Sequence, residues 1–228
     1  YTTLSRSYFI VDFRYIEIAK KTIQTCEVIL QGNLTEQLNE LLARHQVRTL
    51  GIEAATLSLA AYQRFAGTLK TQVLADSRLS DAIEAIRAIK TKEEQDALRS
   101  AQIMTDRAFS FIINHIHPGV TEQDIILNMG AFMERLGSEG RSFDFIAISG
   151  PKTSLPHGKA GTRVIERGDF VTMDFGCKVN GYLSDMTRTV AVGEVSTHQA
   201  EVYEIVRQAQ EKRSEERRVG KECRSRWS

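Results

Sequence analysis

The chain has 228 residues, of which 42% are hydrophobic, and its 30 basic and 29 acidic residues give a formal net charge of +1. This length and composition allow a substantial hydrophobic core and one or two domains. No apolar run approaches the roughly 20 residues of a membrane helix and no signal peptide opens the chain, so we expect no membrane partner.

The chain begins at Tyr1 without a methionine, and we expect that its natural start is missing. Its three cysteines, Cys26, Cys177 and Cys223, are odd in number and widely separated. This usage fits neither a disulfide framework nor a zinc-knuckle spacing. It is typical of a reducing compartment, so a cytoplasmic location is expected.

Short strand-like and helix-like segments alternate over the first third of the chain. The strand-like segments are residues 8–12, 26–30, 49–53 and 73–75. The helix-like segments between them have apolar residues at three-to-four spacing and comprise residues 15–23, 35–46 and 57–69, with Thr35 as the expected N-cap of the second. Repeated β–α alternation predicts a small α/β domain over residues 1–79, with a mostly parallel sheet and no glycine-rich phosphate loop.

Residues 80–212 have a different pattern, which predicts an α+β unit. A helical run over residues 80–89 leads into a second helix that continues to about His115 and ends before Pro118-Gly119. Thr121 and Asp124 resemble a capping box for the next helix, which Gly137 closes. Strands are expected over residues 143–148, 169–177 and 182–192, followed by a helix from about Thr197.

His157 lies in the loop sequence SGPKTSLPHGKA, residues 149–160, between Pro156 and Gly158. Rigid backbone on one side and a missing side chain on the other could present its imidazole to a cleft. A loop histidine can equally be an ordinary surface residue. From the residues alone, both interpretations stay open.

Asp174 and Asp185 occupy two strand-like segments joined by Asn180-Gly181, the strongest short-range signal for a type I′ hairpin. That turn places Asp174 opposite Thr187 and puts both carboxylates on one face of the hairpin. The pair could hold one or two cations, or it could be a solvated face. The triplet Asp-Phe-Gly at 174–176 also matches a kinase motif, but the other kinase motifs are missing from the sequence.

Residues 213–228, RSEERRVGKECRSRWS, are strongly basic, with six Arg or Lys and three Glu. A basic tail can bind nucleic acid or a membrane surface. This stretch, however, resembles a translated sequencing adapter. We therefore interpret residues 213–228 as a non-native tail and expect no nucleic-acid partner.

Three segments together closely resemble the pita-bread metallopeptidases, in particular the Xaa-Pro dipeptidases and aminopeptidases P. They are SFDFIAISGPKTSLPHGKA, VIERGDFVTMDFG and NGYLSDMTRTV. The segment RAIKTKEEQDALRSA and the α/β domain before it are similar to the start of that catalytic domain and to a creatinase-type N-terminal domain. The resemblance implies an α/β creatinase-like domain followed by an incomplete α+β pita-bread domain.

The resemblance also implies the chemistry of the site. Asp174 and Asp185 correspond to the first two ligands of two divalent metal ions, with Mn²⁺ expected and Co²⁺ or Zn²⁺ as alternatives. His157 corresponds to the active-site histidine. A further histidine and two glutamates of the family follow beyond these motifs, so this chain is expected to hold an incomplete site and to be inactive. The parent protein is expected to be a homodimer that hydrolyses a proline-containing peptide or dipeptide.

Three other functions were weighed against this resemblance. A creatinase-like hydrolase shares the two-domain architecture but needs no metal, which the two aspartates disfavour. A methionine aminopeptidase shares the catalytic fold but lacks the α/β domain. A non-catalytic pita-bread binding module is disfavoured because Asp174, Asp185 and His157 are all present.

Overall fold

The structure, a computed structural model, describes residues 7–218, including the side chains of residues 7–214. These residues form two compact units, one ending at Ile89 and the other starting at Lys90. Most of the basic tail predicted at 213–228, namely residues 219–228, lies outside the described residues. No helix of the described part is long and apolar enough to cross a membrane.

The first unit alternates strands and helices, as the sequence predicts. Its elements in chain order are β1 (Tyr8–Val11), α1 (Ile16–Thr22), β2 (Glu27–Leu30), α2 (Leu34–Arg44), β3 (Thr49–Gly51), α3 (Leu59–Thr68), β4 (Gln72–Leu74) and α4 (Arg78–Ala88). β1 pairs with β2 and β3 pairs with β4, both in parallel. The predicted parallel pairing is confirmed, although the described strands form two separate pairs and not one continuous sheet.

One predicted helix start in this unit is wrong. The N-cap of α2 is Asn33, whose side chain accepts a hydrogen bond from the Glu36 amide, and Thr35 lies inside the helix. Asparagine is a stronger N-cap than threonine, so the earlier residue takes the position.

The second unit begins with two capped helices. α5 (Lys92–Ile112) starts with a capping box formed by Thr91 and Glu94, and α6 (Glu122–Arg135) starts with the predicted box of Thr121 and Asp124. The strands that follow are β5 (Ile146–Ser149), β6 (Phe170–Phe175), β7 (Lys178–Val179), β8 (Tyr182–Leu183) and β9 (Met186–Ala191), with a 3₁₀ helix at Gly150–Ser154 after β5 and a last helix, α7 (Thr197–Arg218).

β5, β6 and β9 form an antiparallel sheet in that order, and β7 and β8 form a small hairpin. One sheet face packs on α5 and α6. The buried cluster includes Ala101 and Ile112 of α5, Ile125 and Met129 of α6, and Val171, Met173 and Phe175 of β6. Because side chains alternate along a strand, Thr172 and Asp174 lie on the opposite face.

The strand predicted at 143–148 is shorter and begins only at Ile146. Ile146 pairs with Asp174, and Arg141 forms an isolated bridge with Cys177. Arg141 and Ile146 are five residues apart, whereas their partners Cys177 and Asp174 are only three residues apart. The surplus residues between Arg141 and Ile146 therefore bulge out of the strand pairing. The aromatic ring of Phe145, within this stretch, packs edge-on against Phe175.

Candidate metal centre

The hairpin that carries the two aspartates has the predicted register. Asn180 and Gly181 have φ values of 50° and 79°, as a type I′ turn requires. Asp174 pairs with Thr187, and β7 and β8 continue the same pairing towards the turn. The prediction that Asp174 faces Thr187 is confirmed.

The strand pairing is interrupted between β6 and β7, where the backbone segments at Gly176 and Ser184 approach closely. A Cβ added to Gly176 would lie 1.9 Å from the carbonyl oxygen of Ser184, so only glycine fits. The buried Ser184 hydroxyl accepts a hydrogen bond of 2.9 Å from the Cys177 amide and lies 2.6 Å from the Thr105 hydroxyl. These contacts fix the backbone immediately before Asp185.

Asp174 and Asp185 interact electrostatically. Thr187 donates a hydrogen bond of 2.8 Å to Oδ1 of Asp174. Burial, the negative charge of Asp174 and close side-chain contact with it raise the pKa of Asp185 above its ordinary value. Within the described residues neither carboxylate takes part in an ion pair, so no cationic side chain compensates the repulsion between them.

Two adjoining carboxylates without a cationic partner fit a divalent ion, because hard oxygen ligands suit Mg²⁺-like and Mn²⁺-like ions. The fit is partial. Residues 7–214 contain no group of three or more His, Cys, Asp or Glu side chains that could hold a metal. The two aspartates therefore supply part of a donor set.

An open cleft of about 880 Å³ lies beside the pair. Asp185 and Thr187 line it, together with Thr172 and Thr189, whose hydroxyls are 2.9 Å apart. The remaining lining residues come from β6 and β9 themselves and from the helices around the sheet: Phe170, Met186, Arg188, Gln102, Thr153, Val202, Tyr203, Val206, Arg207 and Gln210. A ligand in this cleft would lie against Asp185.

His157 lies in a turn three residues after the 3₁₀ helix and is exposed. The following Gly158 is buried and donates to the Leu155 carbonyl at 3.0 Å, and a Cβ there would lie 3.1 Å from Ile148. Among the described residues, no hydrogen bond or ion pair joins His157 to Asp174 or Asp185. The structure thus brings the two aspartates together and leaves the histidine on a separate loop.

A buried carboxylate lies beneath that loop and was not predicted from the sequence. Glu122, in the first turn of α6, has no exposed surface. Its Oε1 accepts from the amide and the hydroxyl of Ser149, at 2.8 and 3.0 Å, and its Oε2 accepts from Lys152 Nζ at 2.6 Å and the Gly161 amide at 3.0 Å. Burial tends to raise the pKa of Glu122, but these donors outweigh it and hold the pKa below its ordinary value.

A second ion pair lies beside the first. Arg163 donates to both carboxylate oxygens of Asp169, at 2.6 and 3.0 Å, and also to the Ser149 hydroxyl at 2.6 Å. Gly150, with a φ of 54°, lies against this pair, and a Cβ there would be 2.6 Å from Arg163 Nη2. Burial opposes ionisation of Asp169, yet its hydrogen bonds with Arg163 keep its pKa below the ordinary value.

Comparison with known proteins identifies relatives over both units. The model of metallopeptidase family M24 matches residues 96–226, and the model of the creatinase/prolidase N-terminal domain matches residues 1–89. The Xaa-Pro dipeptidase of Pyrococcus furiosus is 37% identical over 185 residues, which are 81% of this chain and 52% of that protein.

Solved structures agree with these matches. The Xaa-Pro dipeptidase from Bacillus anthracis has a TM-score of 0.84 and 39% identity, covering 90% of this chain and 57% of that one. The X-Pro aminopeptidase from Thermotoga maritima has a TM-score of 0.78 and 32% identity, covering 91% and 59%. The chain therefore spans between about half and three fifths of the length of these relatives.

Proposed function

Because the chain belongs to metallopeptidase family M24, with a creatinase-type N-terminal domain ahead of the start of a pita-bread catalytic domain, we propose that the whole protein hydrolyses Xaa-Pro peptide bonds with divalent metal ions. The observation that carries the proposal is the pair of Asp174 and Asp185. Their carboxylates interact on the sheet face opposite the core, and Asp185 opens onto a cleft. The relatives named Xaa-Pro dipeptidase support the substrate class.

In this proposal Asp174 and Asp185 hold the metal, and Thr187 orients Asp174 through its hydrogen bond. Two divalent ions, when bound, lower the pKa of a coordinated water and stabilise the charge that develops on a peptide oxygen. We propose Mn²⁺ as the native ion, with Co²⁺ or Zn²⁺ as alternatives. The two carboxylates neutralise part of the paired positive charge.

His157 is proposed as the catalytic histidine. The exposed imidazole has two ring nitrogens that can take part in hydrogen bonds, so it can form a hydrogen bond to a reacting group. Its neighbours support this use, because the 3₁₀ helix before it and the buried Gly158 after it hold the backbone on both sides.

The proposed substrate is a proline-containing peptide or dipeptide. A bond before proline lacks the N–H of an ordinary peptide, so its recognition requires a dedicated cleft. The Thermotoga maritima structure supports an aminopeptidase acting on longer peptides as the second candidate. Dipeptidase and aminopeptidase share the proposed ligands and differ in the length of the substrate.

Further parts of the proposal concern the protein as a whole. We propose a cytoplasmic homodimer that binds neither nucleic acid nor membranes. We assign residues 1–89 to the N-terminal domain in place of the predicted 1–79, because the first compact unit ends at Ile89. Residues 90–212 are assigned to the first part of the catalytic domain and residues 213–228 to a non-native tail. The 228-residue chain alone is proposed to be inactive, because it supplies two ligands of a larger donor set.

The test is a chimaera in which residues 1–212 replace the corresponding part of the Bacillus anthracis Xaa-Pro dipeptidase. We expect the chimaera to hydrolyse Ala-Pro in the presence of Mn²⁺ and to leave Met-Ala uncut, while the 228-residue chain cuts neither. A folded, metal-loaded chimaera that cuts Met-Ala and not Ala-Pro would contradict the substrate assignment. Clear turnover by the 228-residue chain would contradict its assignment as inactive.

A further inference from the structure

The loop from Ser149 to Gly161 is fastened at both ends to one buried carboxylate. Oε1 of Glu122 accepts from Ser149, where the loop begins, and Oε2 accepts from Gly161, where it ends. Lys152 reaches the same Oε2 from within the loop and also donates to the Lys159 carbonyl at 3.1 Å. His157 lies between these attachment points.

Burying a carboxylate is costly unless hydrogen bonds and an opposite charge compensate it. Glu122 has no exposed surface and has four donors, one of them the Lys152 ammonium. Because the donors come from three places along the loop, the carboxylate is satisfied only when the loop is closed. Opening the loop leaves a buried negative charge without partners.

Between its two ends, the other hydrogen bonds of the loop are internal and do not attach it to the body of the unit. The Thr153 hydroxyl donates to the Gly150 carbonyl, and the Leu155 and Gly158 amides donate to Lys152 and Leu155. These bonds give the loop its shape. Its two ends have further attachments, since Ser149 pairs with Val171 and accepts from Arg163, and the Gly161 carbonyl accepts from the Gln123 amide at 3.1 Å. Between these ends, the hydrogen bond and ion pair of Lys152 with Glu122 attach the loop to the body of the unit.

We infer that Glu122 is a positioning residue: it acts through Ser149, Lys152 and Gly161 to hold the 149–161 loop closed and so sets the place of His157. The functional meaning of this inference rests on the catalytic role proposed for His157. The inference that Glu122 holds the loop closed does not depend on that role and is drawn from the contacts of Glu122 with the loop. Glu122 touches no substrate and is not a catalytic residue.

The variant Glu122→Gln tests the inference in the 228-residue chain. A glutamine side chain offers one acceptor oxygen, so either Ser149 or Gly161 loses its acceptor and faces an NH₂ group. Amide hydrogen exchange, measured by NMR, should rise about tenfold or more at one of these two residues. Exchange at Gly158 should rise as well, and the ring C–H signals of His157 should shift towards those of an unstructured histidine.

The chain offers a matched control two residues away. Asp124 lies in the same first turn of α6, and its hydrogen bonds go to Thr121 alone among the described residues. Asp124→Asn should lower the thermal midpoint by weakening the capping box, while His157 and the 149–161 amides stay as in the unaltered chain. If Asp124→Asn released the loop as much as Glu122→Gln does, general destabilisation would explain the effect and the inference would be overturned.

A second variant covers the case in which Glu122→Gln does not fold. Lys152 is partly exposed, so Lys152→Met should fold and yet remove the ammonium from Oε2. We expect it to raise exchange at Gly158 and Gly161 and to shift the His157 signals. A folded variant, at either position, with native loop protection and native His157 signals would refute the inference.

These measurements need neither metal nor substrate, so they separate this inference from the proposed function. Glu122→Gln could release the loop while the chimaera fails to hydrolyse Ala-Pro. That result would support the positioning role of Glu122 and contradict the catalytic role of His157. A chimaera that hydrolyses Ala-Pro, together with a loop that is unchanged in Glu122→Gln, would support the proposed function and contradict the positioning role.

Discussion

Thr187 donates a hydrogen bond to Asp174 from the directly opposite strand position, with 2.8 Å between Oγ1 and Oδ1. The bond limits rotation of the Asp174 carboxylate. Groups that orient a metal ligand in this way commonly change metal affinity by about 10- to 100-fold when they are removed.

Replacement of Thr187 should therefore weaken metal binding. In the chimaera, we predict that Thr187→Val raises the Kd for Mn²⁺ about 10-fold or more, whereas Thr187→Ser keeps the donor and stays close to the parent. Thr189→Val is the matched control, since it breaks the hydrogen bond to Thr172 on the same face without touching a carboxylate. Calorimetric titration measures all three. Equal losses of Mn²⁺ affinity in Thr187→Val and Thr189→Val would contradict the role of Thr187 in orienting Asp174.

The raised pKa of Asp185 supplies a prediction for the metal-free chain. Partial desolvation of Asp185, whose side chain is otherwise exposed, is the first cause and the charge of Asp174 the next, so Asp174→Asn should lower the pKa of Asp185 towards its ordinary value. Carbon-detected NMR titration of the carboxyl group measures the change. An unchanged Asp185 pKa in Asp174→Asn would show that the two carboxylates do not interact.

The same shift predicts how stability depends on pH. A carboxyl whose pKa is raised in the folded state favours folding below its unfolded pKa, and this contribution is lost as pH rises through the folded value. The negative charge of Asp174 acts against ionisation of Asp185. Asp174→Asn should therefore not lower the thermal midpoint of the metal-free chain at pH 7, while a fall of several degrees would contradict the repulsion.

Gly176 is predicted to be irreplaceable for a steric reason. A Cβ at this position would overlap the Ser184 carbonyl, which is backbone and cannot rotate away. We expect Gly176→Ala to lower the free energy of unfolding by about 3 kcal/mol. Gly161→Ala is the control, since a Cβ there has only ordinary contacts, 3.7 Å or longer, and should change stability by less than about 1 kcal/mol. Chemical denaturation compares the two, and equal effects would contradict the steric account.

Features set by local sequence were predicted well. The Asn-Gly turn determines the register of the two strands, because Asn180 and Gly181 adopt the positive φ angles that the turn requires. The pairing of Asp174 with Thr187 follows from that register. The capping box at Thr121 and Asp124 is equally local. Each depends on residues no more than a few positions apart.

Features that depend on distant segments were missed. Glu122 reads as an ordinary acidic residue of a first helical turn, where the helix dipole favours it on the surface. Its burial depends on Ser149 and Gly161, which lie 27 and 39 positions away. The bulge before Ile146 likewise follows from two pairings that no local pattern contains. The placement of His157 depends on this same non-local loop.

The tail interpreted as non-native stays a prediction. α7 is described as far as Arg218, and residues 211–213 are exposed. Deleting residues 213–228 should leave the thermal midpoint unchanged within error, as measured by calorimetry. A drop of several degrees would show that Val219, Cys223 or Trp227 belongs to a core.

Metal content measured beside Ala-Pro hydrolysis in the chimaera tests whether Asp174 and Asp185 bind metal and whether His157 acts on the substrate. Asp174→Asn and Asp185→Asn keep the side-chain shape but remove a charge, so metal content and kcat should fall together. His157→Ala should keep its metal while kcat/KM falls about 100-fold or more. Loss of metal in His157→Ala, or full metal content and full activity in both asparagine variants, would contradict the roles assigned to these residues.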